Sequence, residues 1–92
     1  MVRYRVLVSG RVQGVYFRDT CWRLAVERGV RGWVRNLPDG RVEAVFEGPP
    51  DDVQRLVDWA RHGPRAAVVA GVSVQAEQPE GLAAFQIRAT PR

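Results

Sequence analysis

Along the 92 residues, short runs with a hydrophobic period of two alternate with two longer runs of period 3.6, and glycine- or proline-bearing turns separate them. These observations predict an α+β fold of order β-α-β-β-α-β with a short strand added at the C-terminal end. In that order two helices cover one face of an antiparallel sheet, the split β-α-β or ferredoxin-like arrangement.

Arg3 to Ser9 opens the chain as a half-buried strand, with Tyr4, Val6 and Val8 on one face and Arg3 and Arg5 on the other. After the loop GRVQGVYFR, a helix is predicted over Arg18 to Arg28. Cys21, Leu24 and Ala25 fall on one stripe of it, and Gly29 ends it. Val30 to Asn36 reads as the second strand. NLPDG turns it into a third, Arg41 to Glu47, with Val42, Ala44 and Phe46 inward and Glu43 and Glu47 outward and solvated. In GPPDD, Pro50 suits the first turn of a second helix, whose dipole Asp51 and Asp52 complement. Val53, Leu56, Val57 and Ala60 recur at i, i+3, i+4, i+7 as its buried face, and Gly63 and Pro64 stop it. Val68, Ala70, Val72 and Val74 alternate as a fourth strand. The polar tract AEQPEG then leads to a short fifth, Phe85 to Ala89.

Length predicts one domain, residues 1–92, with a modest core and no room for a second. The longest apolar run, Ala66 to Val72, is far too short to span a membrane. The start MVRYRVLV lacks the apolar segment and cleavage site of a secretory signal, and Cys21, the only cysteine, has no disulfide partner. A cytoplasmic protein, monomeric by default, is the expectation. All fourteen basic residues are arginine, and the net charge of +4 favours anionic partners, small phosphates or nucleic acid. Without a lysine there is no Schiff-base or P-loop chemistry.

The loop Gly10 to Phe17 is where chemistry can start. A loop that leaves a strand and enters a helix carries N–H groups with no intrahelical partner, at the end of the helix where the dipole favours an anion. Gly14 permits backbone angles that turn successive N–H groups toward one point. Arg18, at the first turn, has a planar fork that matches two phosphoryl oxygens, each charge-assisted bond being worth roughly 1.5–3 kcal/mol. The competing reading is a solvated arginine after an ordinary glycine loop, its charge offset by Asp19 next door.

Other candidates are weaker. His62, the only histidine, sits at a helix end with no nucleophile or acid in a recognisable motif beside it. One cysteine and one histidine with scattered carboxylates make a poor metal set, so no metal or cofactor is expected. Cys21 reads as a small core residue, Trp22, Trp33 and Trp59 as packing, and Ser9 and Ser73 as lacking any nucleophile context. Tyr16 and Phe17 either line the mouth of the loop or pack beneath it.

The segments GRVQGVYFR, GWVRN and DGRVEAVFEG, at Gly10–Arg18, Gly32–Asn36 and Asp39–Gly48, together closely resemble the acylphosphatase family. The likeness runs on through GPPDDV and HGPRAAV to the final FQI, and so covers essentially the whole chain. It implies hydrolysis of the carboxyl–phosphate bond of an acyl phosphate, giving a carboxylate and inorganic phosphate, without a metal. The resemblance gives the backbone of Val12, Gln13, Gly14, Val15, Tyr16 and Phe17 the phosphoryl oxygens to cradle. It gives Arg18 the phosphate to bind and Asn36 the attacking water to position. Two departures stand out: Cys21 where many relatives carry a hydroxyl, and Leu37-Pro38 after Asn36, a stiff approach to the hairpin.

The chemistry agrees with that implication. The leaving carboxylate has a conjugate acid of pKa about 4, so it departs without a general acid. Positioning and electrostatic stabilisation then do most of the catalysis. An asparagine can accept a hydrogen bond from water and donate another, but it is no base, so the proton goes to bulk water or to a phosphate oxygen. Inorganic phosphate, the product, is expected to inhibit competitively. Two rival readings also fit the sequence. One is an RNA-binding module, which the basic pI of about 10.5 suits but the acidic outward face of the third strand does not. The other is a catalytically silent phosphate sensor on the same fold.

Overall fold

The computed structural model describes residues Met1–Arg92. The elements run β1 (Val2–Arg11), α1 (Phe17–Glu27), β2 (Arg31–Asn36), β3 (Val42–Gly48), α2 (Pro50–Ala60), β4 (Val68–Glu77) and β5 (Phe85–Ile87). The strands form one sheet in the order β4-β1-β3-β2-β5. α1 packs over β2 and β5, and α2 over β1 and β3. The predicted α+β order is therefore present, with element ends within a few residues of those read from the sequence. No helix is long and apolar enough to cross a membrane.

The helix-facing side of the sheet supplies the core. Val6 and Val8 of β1, Val34 of β2, and Val42, Ala44 and Phe46 of β3 meet Cys21 and Ala25 of α1 and Val53, Leu56, Val57 and Ala60 of α2 in one buried cluster of 17 residues. β1 and β3 contribute every second residue, as a period of two requires. α2 buries the four positions that its spacing marked, and Pro50 stands at its first turn. Fully burying side chains of this size contributes roughly 1.5–3 kcal/mol each, which makes this cluster the main source of stability.

Three expectations need correction. The sheet is mixed: β5 runs parallel to β2 and stops at Ile87, short of Ala89. The connection leaves β4 at the end of the sheet where β2 begins, so the chain enters β5 in the same direction as β2. In β4 the simple alternation breaks. Ser9 pairs with Gly71 and Gly10 with Val69, so Ala70 is an extra residue in a bulge. The phase flips there: Val69 and Val72 pack on the core while Val68 stays 63 % exposed.

Glu43 and Glu47 are not solvated; both are buried. They lie on the helix-free face, inside a lattice of arginines. Arg35 donates to Glu43 from Nε and Nη2, both at 2.7 Å, and Arg5 bridges Glu43 and Glu77. Arg3 bonds Glu77 at 3.0 Å and Glu47 at 3.2 Å. Glu47 also accepts from the backbone N–H groups of Glu80, Gly81 and Leu82, which pins the segment that crosses between β4 and β5. Burial pushes the Glu47 carboxyl up, yet these N–H donors and Arg3 outweigh it and hold the group below the ordinary carboxylate range. Hydrogen bonds from Arg5 and Arg3 hold the Glu77 carboxyl low as well. Trp33 lies under Arg35 and Arg5 of this lattice and under Arg88, whose guanidinium carbons stand 4.8, 5.5 and 4.9 Å from its ring centre.

Candidate active site

At the other end of the sheet, β1 runs out at Arg11 and the chain loops over to α1. Gly14 takes φ +74° there, and Tyr16, just before the helix, takes φ +63°, the only left-handed non-glycine residue in the chain. A side chain added at Gly14 would meet nothing within 4 Å, so this part of the loop faces open space. None of the backbone N–H groups from Val12 to Asp19 donates to another protein group; the first to do so is that of Thr20, to the Tyr16 carbonyl. Eight consecutive donors are thus left for solvent or a ligand, at a helix N-terminus.

Arg18 is half-buried and joins no ion pair. Asp19, the alternative counter-charge, pairs with Arg23 one turn on, at 3.3 Å, and not with Arg18. A cation at this end of a helix is unfavourable unless a negative charge offsets it, and Arg18 has no carboxylate in ion-pair contact.

Asn36 ends β2, where it pairs with Val42 of β3. The hairpin beyond it is closed by Leu37 N–H to the Arg41 carbonyl at 2.8 Å and by Gly40 N–H to the Leu37 carbonyl at 3.2 Å. Asp39 braces the turn through Arg41, taking its backbone N–H at 3.1 Å and its Nε at 2.8 Å. Asn36 Oδ1 is buried and has no hydrogen-bond partner, the only such side-chain atom in the structure. An unmet buried acceptor costs roughly 1–3 kcal/mol, so it calls for a donor from outside the fold.

A cleft of about 430 Å³ unites these pieces: Val12, Gly14, Tyr16, Phe17, Arg18 and Asn36 all line it. Gln13 and Val15 do not; the Val15 side chain is buried in the core and Gln13 turns to the hairpin. Tyr16 is 78 % exposed at the rim, whereas Phe17 is buried with its ring 4.9 Å from that of Trp59. The two readings of that aromatic pair are each right for one residue. Asp19 and Ile87 also line the cleft and were missed. Ile87 arrives only because β5 runs parallel to β2, which no local pattern signals.

The acylphosphatase family model matches residues 4–87. The chain belongs to the acylphosphatase family. Among curated relatives, the acylphosphatase of Gloeobacter violaceus is 63 % identical over 86 residues, covering 94 % of this chain and 92 % of that protein. The acylphosphatase of Trichormus variabilis is 54 % identical over 88 residues, with 96 % and 87 % covered. The crystal structure of acylphosphatase from Bacillus subtilis superposes with a TM-score of 0.91 at 40 % identity, over 96 % of this chain and 99 % of that one. The expectation of an acylphosphatase, a hydrolase on this fold, stands.

The remaining side chains stay outside the cleft. His62 is exposed just after α2, and its backbone N–H donates to the Trp59 carbonyl. Cys21 is fully buried, and burial pushes its thiol well above the ordinary range, so it packs as a small apolar residue. Trp22 donates to the Phe85 carbonyl at 3.1 Å and ties α1 to β5. No group of three histidine, cysteine or acidic side chains is placed to hold a metal ion.

Proposed function

We propose that the cleft hydrolyses acyl phosphates by gripping the phosphoryl group with the Val12–Phe17 amides and Arg18 while Asn36 orients the attacking water. The observation that carries this reading is the lone Oδ1 of Asn36, buried without a donor beside an arginine without an anion. A water molecule supplies the missing donor and a phosphoryl group the missing charge. The water oxygen attacks phosphorus, the bond to the acyl oxygen breaks, and the carboxylate leaves unprotonated. The proton passes to bulk water or a phosphate oxygen, since an amide cannot hold it. Arg18 and the loop N–H groups stabilise the equatorial oxygens, whose charge grows as the bonds change.

The grip is on the phosphoryl end, so a range of acyl groups is expected to serve. Inorganic phosphate competes for the same donors. On the helix-free face Trp33 is only 5 % exposed beneath its arginines, which gives the RNA-binding alternative no ring for bases to stack on.

The test is hydrolysis of benzoyl phosphate with and without chelator. The rate is expected to be unaffected by chelator and competitively inhibited by orthophosphate. Arg18→Ala should lower kcat/KM by roughly 10³-fold and abolish orthophosphate inhibition, and Arg18→Lys should restore little because the fork is lost. Asn36→Ala should cut kcat about 10²-fold with the inhibition constant for orthophosphate unchanged. An Asn36→Ala variant that loses phosphate affinity first would refute the division of labour. Binding of phosphate without turnover would favour the silent sensor.

A further inference from the structure

We propose that Gln13 is a positioning residue for this hydrolysis: its carboxamide latches the phosphate loop to the β2–β3 hairpin and so fixes Asn36 relative to the bound phosphoryl group. The inference rests on the reading of the cleft given above.

Gln13 sits in the middle of the loop with its side chain turned away from the cleft. Its Nε2 donates to the Leu37 carbonyl at 2.9 Å and to the Arg41 carbonyl at 3.0 Å. These are the only hydrogen bonds between the Val12–Tyr16 loop and the hairpin. Leu37 is the residue after Asn36. Both acceptors are carbonyls, so the amide must present its NH₂ group, and using both hydrogens fixes orientation as well as distance.

The hairpin does not need this amide. The Leu37 carbonyl already accepts from Gly40 N–H, and the Arg41 carbonyl from Leu37 N–H. Gln13 occupies second lone pairs of groups that are satisfied without it. What its bonds add is a direct link between loop and hairpin beyond the β1–β3 ladder, whose last pair is Val8 with Val42. One carries the amides and Arg18 in a continuous stretch; the other carries Asn36. Releasing the latch lets the loop shift as a body, keeping its hold on phosphate but misaligning the water that Asn36 presents. A displacement near 1 Å is enough to cost about 10²-fold in rate.

Gln13→Met keeps the length and removes both donors. With benzoyl phosphate, kcat is expected to fall about 10- to 100-fold while the inhibition constant for orthophosphate stays within about threefold of the parent's. In an Asn36→Ala background the same substitution should lower kcat by less than about threefold, because the residue it acts through is gone. Gln13→Glu supplies the second variant. Its carboxylate opposes two carbonyls, and protonation returns one donor, so its kcat relative to the parent should climb as pH falls from about 8 to about 5. If the Met variant does not fold, this pH series decides alone.

Unchanged kcat in folded Gln13→Met, phosphate affinity falling in step with kcat, losses that multiply in the double variant, or a flat pH ratio for Gln13→Glu would each overturn the inference. Failure of the underlying reading is separate: it shows as Arg18→Ala retaining orthophosphate affinity in the parent background.

Discussion

Gly63 carries no side chain, and the Phe17 ring packs into the room that this leaves. Its φ is +70°, and a Cβ there would stand 2.8 Å from Phe17 Cε2 and 3.1 Å from Ala67 Cβ. Gly63→Ala therefore combines backbone strain with overpacking and should cost about 1–3 kcal/mol, read as a lowered denaturation midpoint. Because Phe17 opens α1 and lines the cleft, kcat/KM with benzoyl phosphate should fall too, whereas an ordinary surface substitution would spare it. Residues such as Gly14 and Arg18 could be singled out from the sequence alone. Their chemical types carry meaning in a loop that leads into a helix. Asn36 carried none: that its oxygen is buried without a partner emerges only in the folded chain, and only the family likeness pointed to it. Gln13 was marked only as part of the loop backbone, because the two carbonyls its side chain reaches lie 24 and 28 residues away.

Among the elements, α2 was the most readable, since one amphipathic stripe and a proline start define it without reference to anything else. Strands were harder where neighbours set the rule. The bulge at Ala70 shifts the phase of β4, and the direction of β5 depends on where the crossing segment enters the sheet. Glu43 and Glu47 sat on the correct face, but their burial required arginines from two other strands, β1 and β2. That crossing segment offers a prediction of its own. Glu47 takes three of its N–H groups and the Arg3 guanidinium, so Glu47→Ala leaves a buried arginine short of a partner and unties the chain on its way to β5. A loss of about 3–5 kcal/mol is expected in denaturant titration. Hydrogen exchange should show residues 80–87 opening first, and a midpoint unchanged from the parent would count against the tether.

Over the whole molecule, the arginine–glutamate lattice stitches β4, β1, β3 and β2 together on the face that no helix covers. Glu47 and Glu77 both titrate below the ordinary carboxylate range in the folded chain. The unfolded chain therefore takes up protons first on acidification. The stabilisation is complete above the unfolded value of about 4.3 and drains away as pH falls through the folded values. Denaturation midpoints should hold steady from neutral pH to about 5 and decline below it, with a shallower decline in Glu47→Gln. A midpoint that rises on acidification would contradict the lattice. Most of this could not be foreseen, because a charge on a strand's outward face normally reads as solvated.

The bulge in β4 bears on how copies of the chain meet. That strand forms one rim of the sheet, ten residues long, with Val68 bare near its start. A straight rim of that length would be a ready template for a neighbour's strand to add to, and then another. At Ala70 the backbone steps out of register, so an incoming strand aligned on one half is misaligned on the other. Crowded solutions of this protein should therefore stay clear of fibrils, and deleting Ala70 should make them turn cloudy.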